Sequence, residues 1–489
     1  MNEPARTQDH LIADSTAPQV GMVIGGERIV TQDRFPVINP ATGRAFASSP
    51  VASDELVEQA IAAARAALPA WSAVPIEERA AILERVADAI EARKQDIADL
   101  LSREQGKPAH SAALGEVGGA VAWTRATAKL RPPVEVLKDD ATGRVEVRRK
   151  PLGVVASITP WNYPVLIAIW HIVPAMLGGN TVVLKPSSGT PLSTLLMVEI
   201  MNEHLPAGVL NSVAGSGGLG AQLAAHPGID KVVFTGSTPV GRDIMQRGAA
   251  NLKRLTLELG GNDAAIVLAD ADVEATAKKV FLKAFGNSGQ TCAAIKRLYV
   301  HDSIHDVLAE RLAQMAREAV VGAGDDPATQ FGPVQNVKQL RYLTQLAEDA
   351  LDQGARFLSG GLPGEEQEGF FFPLSVVVDV TDGMAIVDEE QFGPILPIIR
   401  FRDAEEAVRL ANANELGLGG SVWSSDIAEA SRLASLLECG SAWVNDHSTI
   451  SPDVPFGGAK QSGIGSEFGL HGLDEYMQLQ TLRLPPSAT

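Results

Sequence analysis

Four short, mainly apolar runs, 154–158, 181–184, 212–214 and 231–234, alternate with stretches of helical periodicity. Nothing else in the chain restricts its fold as much. A strand that is apolar on both sides must be covered on both faces, and a parallel sheet wound with helices does this. The helices expected between the strands are 163–177 and one that starts at Pro191. Sheets of this kind bind ligands beyond the carboxyl ends of their strands. The loops 159–164, 185–190 and 235–241 emerge from those ends.

A second alternating series opens at 255–258 and runs through 264–268, 298–300, 374–380, 395–401 and 441–444. The fold class expected is therefore α/β, with a Rossmann-type parallel-sheet domain and a second α/β domain of about 259–445. Upstream, residues 1 to about 20 are polar and expected to be flexible. Residues 21–30 read as a hairpin around Gly25-Gly26, and 39–43 as a turn. Two amphipathic helices are expected at 54–68, capped by Ser53, and at 76–104, after Pro75. A third, 111–131, is stopped by Pro132-Pro133.

Residues 134–150 alternate as a strand pair, with Val145 and Val147 on one side and charges on the other. The tail 477–484 alternates as well. Open edges invite aggregation, so ribbon and tail are expected to pair across subunits, with pairing inside one chain as the other arrangement.

Net charge is −18, which disfavours nucleic acid and anionic membrane as partners. No run of 18 apolar residues occurs and the start lacks an apolar core, so neither a membrane span nor a signal peptide is expected. The two cysteines, Cys292 and Cys439, form no disulfide framework and no metal-ligand spacing. Nor do the nine histidines, so no metal is expected. This cysteine usage suits a reducing, cytoplasmic compartment.

Cys292 stands in a stretch of small and polar residues, Gly286 to Arg297, with Ala293 and Ala294 beside it and Gly289 before it. Small neighbours give access, and glycine lets backbone approach a substrate. Taken alone, a buried cysteine that acts as a small hydrophobe remains the other reading. Cys439 reads as structural. Gly215 to Gly220 matches GxGxxG between a strand and a helix, although no acidic residue follows about 20 positions on. Phe234 to Gly241 is a better anion site, running from strand through glycine and hydroxyls to a helix start.

In order, the chain carries Thr159-Pro160-Trp161-Asn162-Tyr163-Pro164, Lys185-Pro186-Ser187, Phe234-Thr235-Gly236-Ser237 and Leu257-Glu258-Leu259-Gly260-Gly261. Asn287-x-Gly289-Gln290-x-Cys292, Glu389-Glu390-x-Phe392-Gly393-Pro394 and Pro455-Phe456-Gly457-Gly458-x-Lys460-x-Ser462-Gly463 follow. Over roughly 20–485 this resembles the aldehyde dehydrogenase superfamily, in its NAD(P)-dependent non-acylating branch. The resemblance implies Cys292 as nucleophile, Asn162 as oxyanion donor with the Cys292 backbone, and Glu258 as the base that activates water. Read from the residues alone, Glu258 could be a solvated strand-end carboxylate, Trp161 core and Asn162 a helix cap.

For the cofactor, NADP or NAD with NADP favoured, the implied contacts are Thr159, Pro160, Trp161, Lys185, Ser187, Ser188, Gly220, Phe234, Gly236, Ser237, Leu259, Gly260, Glu390 and Phe392. The implied substrate pocket is Tyr163, Leu166, Ile167, Trp170, Thr291, Ala293, Ile450 and Phe456. It is aromatic and aliphatic, without arginine, and suits an apolar aldehyde better than a carboxylate-bearing one. The resemblance assigns 1–133 and 151–258 to cofactor binding and 259–445 to catalysis, with 446–470 returning to the active-site face. It assigns 134–150 and 471–489 to a homo-oligomer, dimer or tetramer.

Three positions depart from the family's common pattern. Ser188 stands where glutamate is common, His171 where lysine often follows the tryptophan, and Asn262-Asp263 where lysine-serine is usual. The second bears on a proton relay that some members are thought to build with the glutamate matching Glu467. Two other readings compete: an acylating member that uses coenzyme A, which tends to lack the glutamate, and a non-catalytic binding protein. A cysteine hydrolase would need a base histidine that the sequence does not locate.

Overall fold

The computed structural model describes residues 19–364 and 368–486. The expected flexible start falls almost wholly outside these residues. Two sheets organise the rest. The first runs, in spatial order, Gly463–Ile464, Arg254–Glu258, Lys231–Thr235, Val154–Ile158, Thr181–Lys185, Leu210–Ser212. Its five longer-range partners from 154 to 258 are parallel, and only Gly463–Ile464 is antiparallel. The strand order reverses between Val154–Ile158 and Lys231–Thr235, which opens a crevice beyond their carboxyl ends. The chain is thus an α/β protein with a doubly wound first sheet.

Residues Val154, Val155 and Ala156, like Val182 and Val183, have no exposed surface, as expected of strands covered on both faces. One cover is helix Pro164–Leu177 and another Leu192–Asn202. Helix Asp54–Ala73 is capped by Ser53, whose hydroxyl accepts the Leu56 N–H at 3.3 Å. It is longer than its sequence suggests and passes through Pro69. Trp71 is buried beyond that proline and donates its Nε1–H to the Met176 carbonyl at 3.1 Å, so tertiary packing carries the helix on.

The second sheet runs Arg356–Ser359, Ser375–Val378, Ile395–Phe401, Ile295–His301, Asp263–Val267, Gly419–Trp423, Ser441–Val444. Glu258 ends a strand of the first sheet and Asp263 begins one of the second, so the two sheets meet end to end across residues 259–262. Cys292 lies just before Ile295–His301, at the same seam.

Several expectations need correction. The single helix at 76–104 is two, Ile76–Ala92 and Lys94–Gln105, broken at Arg93. The strand expected at 212–214 is Leu210–Ser212. Strands Arg356–Ser359 and Gly419–Trp423 had no counterpart in the sequence reading. The largest correction concerns the tail. Met477–Leu484 pairs antiparallel with Gly143–Pro151 inside one chain, from Met477 opposite Pro151 to Leu484 opposite Arg144. Pairing of those two strands across subunits is therefore replaced by pairing within the chain. On the ribbon's charged side Glu146 is buried, because Arg144 and Arg148 close over it at 2.6 and 2.7 Å. Among the described residues no helix is long and apolar enough to cross a membrane.

Candidate active site

A groove follows the strand ends of the first sheet. Its outer part, about 410 Å³, is lined by Thr159, Pro160, Trp161, Lys185, Ser187, Ser188, Gly220, Phe234, Gly236 and Ser237. Its inner part, about 340 Å³, shares Pro160, Trp161, Gly236 and Ser237 and adds Asn162, Leu259, Gly260, Cys292, Glu390 and Phe392. All fourteen residues expected at the cofactor thus lie along one continuous groove, with Asn162 and Cys292 at its inner end.

The groove's chemistry fits a dinucleotide. Thr159 Oγ1 is buried without a partner. Helix Thr238–Gly248 starts there, and its N-cap Ser237 makes no side-chain cap bond, which leaves N–H groups for an anion. Lys185 is nearly buried, donates to the Pro186 carbonyl at 3.0 Å, and burial lowers its pKa to about 8. Ser188 is exposed. Trp161 and Phe392 meet edge to face at 5.2 Å. The GxGxxG glycines lie at the start of helix Gly217–Ala225, and Gly220 faces Lys185 and Ile158.

The cysteine loop is held in an unusual backbone conformation. Asn287 and Ser288 both have φ of 54° and Gly289 has 70°, so three successive residues are left-handed. Hydrogen bonds hold them there. Ser288 donates to the Gly332 carbonyl at 2.7 Å, and Asn287 Nδ2 to the Asn162 and Gln290 carbonyls at 3.1 and 3.2 Å. At Gly289 a Cβ would collide with the Gly393 carbonyl, so only glycine fits. Asn162 Nδ2 donates to the Gln290 carbonyl at 3.0 Å, which ties the two loops together. Asn162 does not cap the following helix; Tyr163 occupies the cap position.

Beyond Cys292 lies an apolar cluster of Ala293, Leu418, Phe456 and Phe468, with Trp123, Trp170, Trp443 and Ile450 packed against it. Phe468 meets Trp170 at 4.8 Å and Trp123 at 5.7 Å, edge to face. Of the residues expected at the substrate, Trp170, Ala293, Ile450 and Phe456 belong to this cluster. Tyr163 joins Thr291 beside it by a 3.1 Å hydrogen bond between their hydroxyls. Leu166 instead packs on the core of the first sheet, and Ile167 is buried in the same helix. Trp123, Leu418, Trp443 and Phe468 were not foreseen, because isolated aromatics on separate elements carry no local pattern.

A profile of the aldehyde dehydrogenase family matches residues 29–482. The chain belongs to that family. Aldehyde dehydrogenase LUC3 of a Fusarium species is 41% identical over 463 residues, covering 94% of this chain and 98% of that one. Phenylacetaldehyde dehydrogenase of Pseudomonas fluorescens is 38% identical over 479 residues, covering 94% and 95%. Among solved structures, the NAD+ complex of an aldehyde dehydrogenase from Bacillus cereus aligns with a TM-score of 0.92 at 35% identity, covering 96% and 97%. The protein is thus an oxidoreductase of the aldehyde dehydrogenase family.

Electrostatics at the seam of this aldehyde dehydrogenase are dominated by desolvation. Burial raises the Cys292 thiol to about 12; Lys296 opposes this, while Glu390, Asp263 and Glu258 add to it. Glu258 is buried with both oxygens unpartnered, and burial, Glu467 and Glu475 hold its pKa well above the carboxylate range. Glu390 is raised too, chiefly by burial, and accepts the Gly261 N–H at 3.1 Å.

Lys296, which the sequence reading passed over as one of a basic pair, sits among these groups. Its Nζ donates to the Thr291 and Cys292 carbonyls at 2.7 and 2.6 Å and lies 3.5 Å from Glu390. It is the cation nearest the thiol that favours the thiolate. His171 bonds Ser157 at 3.0 Å and Thr235 at 2.9 Å and lies 3.3 Å from Glu467, so it does adjoin the glutamate of the suggested relay.

Replacing Lys296 by methionine removes the one charge that favours the thiolate. We expect alkylation of Cys292 by iodoacetamide at pH 8 to slow by about tenfold, one pKa unit being about 1.4 kcal/mol. An unchanged rate would show that Lys296 does not set the reactivity of the thiol.

Proposed function

We propose that this enzyme oxidises an apolar aldehyde, aliphatic or aromatic, to the carboxylic acid through a thioester on Cys292 that water hydrolyses. What carries the reading is that Cys292 and Asn162 line one end of the dinucleotide-shaped groove, while an apolar aromatic cluster lies on the other side of the cysteine. The arrangement supports an aldehyde that enters from the aromatic side and meets cofactor at the sulfur. The phenylacetaldehyde dehydrogenase relative supports the same substrate class.

In this mechanism the Cys292 sulfur attacks the carbonyl carbon, and its proton leaves with the help of a base. The carbonyl oxygen becomes an oxyanion stabilised by the Asn162 amide and the Cys292 N–H. Bound nicotinamide would supply the acceptor for the aldehyde hydride, held by Trp161, Phe392, Glu390 and the groove residues. The thioester left on Cys292 is attacked by water as Glu258 takes the proton, and the acid departs as the thiolate is released. A carboxylate with a raised pKa and no hydrogen-bond partner is suited to accept that proton near neutral pH. Coenzyme A as acyl acceptor would not need Glu258, and its placement beside the seam favours water.

By this reading residues 1–133 and 151–258 bind cofactor and 259–445 supply the cysteine. The ribbon 134–150 with the tail 471–489 offers Val136, Leu137 and Leu479 to a second subunit of a dimer or tetramer.

The test is NAD(P)H formation from a panel of aldehydes without coenzyme A. Cys292→Ser should lose this activity. Glu258→Gln should retain a burst of NAD(P)H and then turn over slowly, and it should lose a rise of steady-state rate with pH that wild type shows above the ordinary carboxylate range. A variant that lacks the burst and keeps full turnover would remove Glu258 from deacylation.

Cofactor choice follows from Ser188. A carboxylate there would oppose a 2′-phosphate by about 4 kcal/mol at 4 Å and an effective dielectric of 20, less where water screens it. Serine removes that repulsion, adds a donor, and leaves Lys185 as the nearby cation. We expect NADP to be preferred, with Ser188→Glu shifting preference to NAD in kcat/KM on a single aldehyde. Wild-type preference for NAD by more than about tenfold, near 1.4 kcal/mol, would overturn this.

A further inference from the structure

The segment 104–116 carries three ionisable side chains, Glu104, Lys107 and Glu116, that are buried and far from the seam in sequence, yet reach three of its loops. Glu116 Oε1 accepts the Val165 and Leu166 N–H groups at 3.0 and 3.2 Å. These open helix Pro164–Leu177, whose own cap residue Tyr163 makes no side-chain capping bond. Lys107 Nζ pairs with Glu116 Oε2, donates to the Asn162 carbonyl at 2.9 Å, and lies 4.1 Å from the centre of the Tyr163 ring. The Lys107 and Glu116 side chains are 1% and 0% exposed.

Around Asn162 nothing is left to chance. Its carbonyl takes hydrogen bonds from Lys107 on one side and from Asn287 of the cysteine loop on the other. Its amide nitrogen is already tied to Gln290. Glu104 does the same work one loop away, accepting the Leu192 and Ser193 N–H groups at 2.7 and 2.8 Å behind the Lys185–Ser188 stretch. Burying a lysine–glutamate pair costs desolvation that well-packed apolar residues would avoid, so stability alone does not account for it. Fixing a peptide to within a few tenths of an ångström does, because an oxyanion donor only helps where the developing charge will be.

We propose that Lys107 and Glu116 are positioning residues of the oxyanion site, acting through the Asn162 peptide and the start of its helix. The proposal rests on the reading that Asn162 stabilises the oxyanion at Cys292. Neither residue touches substrate, and neither is expected to alter the thiol.

A double-mutant cycle tests this, read by the rate of the single-turnover NAD(P)H burst and by alkylation of Cys292 with iodoacetamide. Glu116→Gln keeps an acceptor for the helix N–H groups but removes the charge that holds Lys107. In the wild-type background we expect it to slow the burst at saturating aldehyde by at least tenfold, with KM and the alkylation rate changed less than twofold. In an Asn162→Ala background the same substitution should change the burst by less than twofold, since the residue it acts through is gone. Equal slowing in both backgrounds would mean a general structural role and overturn the proposal, as would an unaffected burst in the wild-type background. A normal burst in Asn162→Ala itself would instead overturn the oxyanion reading beneath it. Should Glu116→Gln not fold, Lys107→Arg, which keeps the charge and displaces the donor, is read in the same cycle against the same outcomes.

Discussion

Charge buried where two sheets meet end to end is the constraint on which this structure turns. A carboxylate and a thiol buried at that seam lose water, and each shifts toward its neutral form. For Glu258 this makes a stronger base than a solvated carboxylate. For Cys292 burial makes the thiolate harder to form. The loop answers with Lys296, which donates to the Thr291 and Cys292 carbonyls and opposes the shift.

Positive and negative groups at the seam are therefore interlocked. Lys296 is shared between the cysteine loop and Glu390, and Glu390 in turn accepts the Gly261 N–H next to the strand end that carries Glu258. Gln335 makes a similar junction, donating its backbone N–H to Gln290 Oε1 at 2.8 Å and its Nε2 to the carbonyls of Gly189 and Glu104. The cysteine loop, the Lys185 loop and the 104–116 segment share one network.

What sequence could disclose was set by local chemistry. The groove residues lie in loops at strand ends, where glycine and proline punctuate apolar runs, and such patterns are visible within a few residues. Glu258 and Cys292 were recognisable only through a resemblance, because no spacing rule unites the end of one strand with the loop before another. Strand Gly419–Trp423 escaped notice since Gly419, Gly420 and Ser421 break the apolar run, although all five residues are buried in the sheet. The break at Arg93 interrupts no periodicity. Alternation in 477–484 announced a strand with an open edge but could not say whose edge it would meet. Lys107 and Glu116 were invisible for a deeper reason: in a linear reading they are ordinary surface charges, Lys107 between two helices and Glu116 on one, and only tertiary structure takes them out of water.

The departure at Asn262-Asp263 shows how such silent positions explain one another. Asn262 Nδ2 donates to the carbonyls of Val387 and Asp388 at 2.9 and 3.0 Å, anchoring the stretch that leads into Glu390. Asp263 is buried, and a buried carboxylate must find donors. One oxygen accepts the Gly419 N–H at 3.0 Å; the other faces His447 Nε2 at 3.4 Å. The Ser421 hydroxyl already accepts from Trp423 Nε1 at 2.9 Å, so its own proton is free to go to His447 Nδ1, also at 2.9 Å. His447 belongs to the loop beside the aromatic cluster, with its ring 5.1 Å from Trp443. An acid on one strand and a histidine far along the chain thus lie together, where the loop beside the aromatic cluster approaches the strand that Asp263 begins.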